Sequence, residues 1–355
     1  MNVRRFFMKD KVLHFLQEEI EREHIPGAVI HVSHKGETIL QEAIGNRSCY
    51  PTQSQMEIDT IFDLASLTKV VGTLPAVLKL IDDGMIRLDD PVAFFLPEFA
   101  QHGKEAITIS NLLTHTSGLP AHKEFFKEGL TTEKIVDSIC AEKLEFPIGS
   151  KVTYSDLGLI ILYQIIEAVT GGDIGDFLRE EIFHPLEMYE TGFNPKFDRA
   201  RYAPTEYSEV LSDYKYGIVH DENTEAMGGI SGHAGLFSTI TDLQNYVSMI
   251  EHGGLYKGKQ ILSSSSIKLS RKNFSPFDSE YRGLGWMLKS PTLSSCGDLF
   301  SAESYGHTGF TGTSIWVDPE ADLSVILLTN RVYYGRKPHM IRLRPRLHNI
   351  IRAYF

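Results

Sequence analysis

Segments that read as β-strand sit near the two ends of this chain, and the long middle reads as helix. Close to the start, GAVIHVSHKGETILQEAIG divides into strands at about 28–33 and 38–44 around a Lys35-Gly36 turn. Towards the end, GLGWML (283–288), TSIWVDP (313–319) and LSVILLTN (323–330) read as successive strands of one sheet. Between them apolar residues recur at helical spacing over 65–83, 109–115, 132–141, 157–170 and 173–183, with Pro75 expected to bend the first. A further helix is expected near 240–252, and a basic one closes the chain. The pattern predicts an α+β fold: an antiparallel sheet completed by both ends of the chain, flanked by N- and C-terminal helices, with an all-helical domain inserted. Residues 1–62 and 225–355 would form the sheet domain and 63–224 the helical one, with irregular, polar 193–226 crossing back between them. A ligand site is expected in the cleft between the two.

The composition is that of a soluble globular protein, 42% hydrophobic and 23% charged, which excludes fibrous, collagen-like and disordered classes. With 35 Lys+Arg against 46 Asp+Glu the net charge is −11, so no nucleic-acid partner is expected. Residues 331–355 are the exception, with seven Arg/Lys and no acid; they read as a terminal helix holding its basic face in water. Cys49, Cys140 and Cys296 are few, odd in number and far apart, which supports neither a disulfide framework nor a zinc site and suits buried thiols in a reducing compartment. At the N-terminus Lys9, Asp10 and Lys11 break any apolar run, while Val12, Phe15, Leu16 and Ile20 recur at helical spacing. An amphipathic helix is therefore expected rather than a secretion signal, and with it a cytoplasmic protein. No stretch approaches about 20 uninterrupted apolar residues, so no membrane partner is expected.

S-x-x-K occurs three times, at Ser66/Lys69, Ser212/Lys215 and Ser265/Lys268, and about one or two matches are expected by chance in a chain this long. Context separates them. Ser66 opens an apolar helical run with Lys69 one turn later, a setting that suits either an activated nucleophile or a helix cap. Ser212 lies in a polar loop and Ser265 in a serine run. Tyr154-Ser155-Asp156 leads into the helix 157–170, and His307-Thr308-Gly309 precedes a strand, its glycine permitting close approach to a ligand. His220-Asp221-Glu222-Asn223 invites a metal reading, but adjacent residues rarely all face one ion, so a wall of the substrate cleft is the better reading. His115 and His233 read as satisfied structural histidines.

Ser66-x-x-Lys69, Tyr154-x-Asp156 and His307-Thr308-Gly309, in that order, resemble the active-site signature of serine β-lactamases and penicillin-binding proteins. The chain is most similar to the class C β-lactamase-related serine hydrolases, which include carboxypeptidases, esterases, D-aminopeptidases and cell-wall amidases. The likeness runs through PGAVIHV (26–32), FDLASLTK (62–69), ITISNLLTHTSGLP (107–120), YSDLG (154–158), FHPLEM (183–188), GGISGHAGLFST (228–239), GLGW (283–286) and GHTGFTGTSIWVDP (306–319). It implies a β-lactamase/transpeptidase-like fold, Ser66 as the acylated nucleophile, and Lys69 and Tyr154 as carriers of its proton. It also implies an oxyanion hole from the backbone N–H groups of Ser66 and Phe310, no metal and no organic cofactor.

Two departures bear on the substrate. His307 stands where relatives commonly have a lysine, and a histidine of ordinary pKa is mostly neutral at pH 7. Asp156 stands where many have asparagine, and a carboxylate there would repel an anion and keep Lys69 charged. Both suit an ester, or an amide carrying a free amine or little charge. The expected activity is hydrolysis of a small-molecule ester or amide through an acyl-serine, with muropeptide-like or D-amino-acid compounds as candidate substrates. A true β-lactamase or D-alanyl-D-alanine carboxypeptidase is the alternative among enzymes, and a non-catalytic peptidoglycan-binding protein the alternative outside them. The oligomeric state stays open.

Overall fold

The computed structural model describes residues 3–355. Helix α1 (Val3–Glu21) leads into strands β1 (Gly27–His34), β2 (Glu37–Ser48) and β3 (Ser54–Gln55). Helices α2 (Leu74–Asp82), α3 (Asp156–Thr170) and α4 (Ile240–Glu251) come from the middle of the chain. Strands β4 (Met287–Leu288), β5 (Tyr305–Thr308), β6 (Ser314–Asp318) and β7 (Leu323–Thr329) and helix α5 (His339–Arg352) complete it. The strands join as β4-β5-β6-β7-β1-β2-β3, antiparallel throughout, so the two ends of the chain meet where β1 lies beside β7, with Val29 opposite Leu328. Lys35 and Gly36 both take positive φ, 56° and 75°, the left-handed pair that turns a tight hairpin with the twist of its strands.

Period-2 alternation gives the sheet two apolar faces. Ala28, Ile30, Val32, Trp316, Val325 and Leu327 pack against α1 through Val12 and Leu16 and against α5 through Leu343 and Leu347. Val29, Ile315, Val317, Ile326 and Leu328 join the larger core, which takes in α2, α3 and α4. Burying these side chains contributes about 1.5–3 kcal/mol each, the main force that holds the terminal helices on one face and the central ones on the other. Among the described residues no single helix is long and apolar enough to cross a membrane.

The fold departs from the sequence expectations in several places. Of GLGWML only Met287–Leu288 pairs as strand. Gly285 has φ +71°, and a Cβ on Gly283 would lie 2.3 Å from the Ser270 carbonyl oxygen, so this is a glycine turn bringing Trp286 onto Tyr305. The predicted helix 65–83 is three pieces: a 3₁₀ turn at Ala65–Leu67, a π turn at Lys69–Thr73, and α2. Pro75 lies in the first turn of α2 and not in its interior. In the π register the Leu74 N–H bonds the Lys69 carbonyl, and the next carbonyl, Val70, would face the proline; the Tyr246 hydroxyl donates to it instead, at 2.5 Å.

The basic C-terminal stretch does not keep all its charge in water. Arg344 is buried and donates to the carbonyls of Gly309 (2.8 Å) and Thr313 (2.9 Å), while Arg352 pairs with fully buried Asp318 at 2.8 Å. All three cysteines are free, but Cys49 is only half-buried.

Candidate active site

Ser66 is placed by a strained turn. Phe62–Asp63 pairs as a short strand with Phe237–Ser238, and Ala65 then takes φ +46°, unusual for a residue with a Cβ. Fully buried Asp63 holds the turn: Oδ1 accepts the Ala65 N–H at 2.7 Å and Oδ2 the His220 N–H at 2.6 Å. Burial raises the Asp63 pKa, and the two N–H bonds oppose the rise. The result is that Ser66 alone among residues 61–70 is not buried. It does not cap α2 but stands on the 3₁₀ turn ahead of it.

Lys69, one turn on and fully buried, is the hub. Its Nζ lies 3.0 Å from Ser66 Oγ, 2.9 Å from the His233 carbonyl and 2.9 Å from Asp156 Oδ1. Three acceptors match the three protons of an ammonium. Burial opposes the charge, yet Asp156 and Tyr154 hold the Lys69 pKa above its usual value. Burial likewise opposes ionisation of Asp156, and Lys69 and His122 hold its pKa well below the carboxylate range. The two form one ion pair across the floor of the site.

Tyr154 lies over this pair, its ring centroid 4.9 Å from Lys69 Nζ. Its ring is fixed by His115 at 4.6 Å, His307 at 5.9 Å, and the Arg282 guanidinium at 5.3 Å. His115 is a structural ligand of the same loop: its Nδ1 accepts the Ser155 N–H at 3.1 Å, and its carbonyl accepts the Thr153 N–H at 2.8 Å. Asp156 begins α3 directly after Ser155, whose hydroxyl caps the helix through Gly158.

The far wall is the end of β5 and the turn after it. Thr311 Oγ1 donates to the Asp63 carbonyl (2.8 Å) and Thr313 Oγ1 to that of Leu64 (3.1 Å), stitching this turn to the Ser66 turn. A Cβ on Gly309 would stand 2.5 Å from the Leu64 oxygen and 2.1 Å from Thr313 Oγ1, so only glycine fits. Among the described residues neither the Ser66 nor the Phe310 backbone N–H donates to a protein acceptor. His307 is 1% exposed, and burial, with Arg282 and Lys69 nearby, pushes its pKa well below normal. The neutral ring donates through Nδ1 to the Thr308 carbonyl at 2.9 Å, which leaves Nε2 a bare acceptor without a partner.

The residues assigned to the site from the sequence thus come together: Ser66, Lys69, Tyr154, Asp156, His307, Thr308, Gly309 and Phe310. The other two S-x-x-K pairs do not. Lys215 turns to Glu225, and Ser265 and Lys268 lie on the short helix Ser264–Ser270. His220-Asp221-Glu222-Asn223 sends its side chains to four different places: Glu206, His233, Arg336 and the backbone of Phe126 and Lys123. Its first three residues line a cavity of about 280 Å³ together with Ser66 and Asp156, so the segment is a wall. His233 is satisfied on both ring nitrogens, by Ser231 and Asp221, and serves the site through its carbonyl on Lys69.

Sequence reasoning missed His122, which meets Asp156 Oδ2 at 3.4 Å, and the arginines Arg282 and Arg344. No local pattern marks a lone arginine before a glycine turn. The basic run 331–355 was visible, but its turn towards the site was not.

A family model, Beta-lactamase, matches residues 12–347. A protein of Escherichia coli strain K12, provisionally named a D-alanyl-D-alanine carboxypeptidase, is 33% identical over 313 residues, covering 79% of this chain and 70% of its own. Among solved structures, EstCE1, a hydrolase with promiscuous acyltransferase activity, superposes with a TM-score of 0.80 over 99% of this chain and 100% of its own at 21% identity. A penicillin-binding protein homologue from Caulobacter crescentus does so with a TM-score of 0.77 over 98% of each chain at 22% identity.

Proposed function

Because the chain belongs to the β-lactamase family, as a serine hydrolase with the fold of penicillin-binding proteins, we propose that Ser66 is its acylated nucleophile and Tyr154 its general base. Ser66 Oγ attacks the acyl carbon of an ester or amide, its proton passes to Tyr154, and the leaving group departs with that proton. Water then attacks the acyl-serine with Tyr154 again as base, and Ser66 recovers its proton. Lys69 has no lone pair for this task while its three N–H bonds are spent on Ser66, His233 and Asp156; it acts as a fixed positive charge beneath the Tyr154 ring. The free N–H groups of Ser66 and Phe310 receive the oxyanion. The observation that carries this reading is the position of Lys69 Nζ between Ser66 Oγ and Asp156 Oδ1 beneath the Tyr154 ring.

The name of the Escherichia coli relative supports peptides ending in D-amino acids as substrates, which keeps a D-alanyl-D-alanine carboxypeptidase as the second reading. The ester reading draws on the description of EstCE1. A fluorescent fluorophosphonate should label the wild type at Ser66 and leave Ser66→Ala unlabelled. Labelling by a fluorescent penicillin as well would favour the second reading, and labelling by neither would sink both. A panel of p-nitrophenyl esters, D-amino-acid anilides, muropeptides and nitrocefin then ranks the acyl and leaving groups.

A further inference from the structure

Asp63 meets three parts of the site at once. Its side chain is buried, with Oδ1 accepting the Ala65 N–H (2.7 Å) and Oδ2 the His220 N–H (2.6 Å), and its carbonyl accepts the Thr311 hydroxyl (2.8 Å). The first bond reaches the turn that carries Ser66. The second reaches the wall segment that lines the cavity beside Ser66, and the third the turn that offers the Phe310 N–H. Those last two are also tied to each other, since the His220 ring lies against that of Phe310 with centroids 5.6 Å apart.

Two features set this residue apart from ordinary core. Among the described residues the Asp63 carboxylate forms no ion pair, and both of its oxygens are spent on backbone N–H groups. A buried carboxylate without a cation is a costly way to fill space, because a neutral side chain would avoid the desolvation. The residue it holds is strained. Ala65 has φ +46°, a conformation that a Cβ resists and that persists only where the surroundings impose it. The N–H that Asp63 Oδ1 fixes belongs to that strained residue itself. With Ala65 in an ordinary conformation the chain would leave the turn in another direction, and Ser66 Oγ would no longer stand 3.0 Å from Lys69 Nζ.

We propose that Asp63 is a positioning residue for the reaction: it holds Ala65 in its left-handed conformation and so keeps the Ser66 hydroxyl, the Phe310 N–H and the His220 wall in register. It acts through the backbone and not on the reacting atoms. This rests on the reading of Ser66 as nucleophile.

The test is the second-order rate of Ser66 labelling by a fluorophosphonate, measured well below Tm so that folded protein is compared with folded protein. Asp63→Asn keeps the size of the side chain but turns an amide NH₂ towards one of the two N–H donors. It should slow labelling at least ~10-fold, the lower end for a lost bond to a charged acceptor. Adding Ala65→Gly to Asp63→Asn should recover at least half of that loss on a logarithmic scale, because glycine takes positive φ without help, while Tm stays below that of the wild type. Thr311→Val cuts only the bond from the turn after β5 and carries the test if Asp63→Asn does not fold. It should slow labelling roughly 2- to 10-fold, the range for a neutral hydrogen bond. A merely structural Asp63 would lower Tm in Asp63→Asn and leave the labelling rate of the folded protein unchanged. That outcome overturns the proposal, as does a loss that Ala65→Gly does not relieve, or an unchanged rate in Thr311→Val. Failure of the fluorophosphonate to label Ser66 in the wild type overturns instead the nucleophile on which the proposal stands.

Discussion

Replacing Asp156 by asparagine removes one charge from the floor of the site while leaving an oxygen where Oδ1 now contacts Lys69. The carboxylate stands 2.9 Å from Lys69 Nζ, and the lysine is fully buried. At an effective dielectric of 20, unit charges even 4 Å apart attract by about 4 kcal/mol, and an opposite charge at such range moves a pKa by about 1–3 units. Without Asp156, the main opposing charge is gone and burial pushes Lys69 towards its neutral form. The acid limb of kcat/KM should therefore move down by about 1–3 pH units in Asp156→Asn, as neutral Lys69 becomes available to take the proton of Ser66. A p-nitrophenyl ester and a buffer series suffice to measure it. Stability gives an independent reading. The Asp156 pKa is depressed, so its contribution is present above the ordinary carboxylate pKa of about 3.9 and lost as pH falls below it. The Lys69 pKa is raised, so its contribution is present below about 10.4 and lost as pH rises past it. Asp156→Asn should lower Tm most at neutral pH, with the gap closing in acid. An unmoved acid limb would refute the coupling and reduce Asp156 to a residue that starts α3 or orients substrate.

Ser66→Ala should abolish turnover at unchanged Tm, whereas Ser212→Ala and Ser265→Ala should keep full activity on any good substrate. Tyr154→Phe should cost at least ~10²-fold in kcat, the lower end for a lost general base, and a smaller loss would move that role to Lys69. His307→Lys should gain nothing with penicillin-like substrates and should lower Tm, because the new ammonium would be buried beside Arg282 and Lys69; a rise in nitrocefin turnover would contradict this.

The parts of the site carried by short motifs were legible because each motif states a local geometry: a serine before a helical run, a lysine one turn on, a glycine at a close approach. The sheet was legible from alternation, and β1, β2, β6 and β7 stand where it put them. What escaped depends on contacts between distant segments. The helix around Lys69 divides into 3₁₀, π and α pieces, and it is Tyr246, far along the chain, that takes the Val70 carbonyl facing Pro75. Arg282 stands out only because its Nε and Nη1 are buried without partners, and no spacing encodes that. Arg344 looked like surface charge because α5 has basic residues on several sides, and only docking against β6 selects which one turns inward.

The pairing of β1 with β7 sets the order in which the molecule can be made. A chain emerging from the ribosome carries β1 and Ser66 early, but β1 keeps an open edge until residues 323–329 arrive to cover it. Until then β5 and β6, which supply the wall opposite Ser66, have no sheet to join. Such closure of distant segments is slow and leaves an exposed edge in the meantime. The same closure brings α1 and α5 side by side on one face. Joining α5 to α1 there and opening the exposed turn near Val210 would let β7 and β1 be synthesised next to each other, a rearranged chain that should complete its sheet sooner.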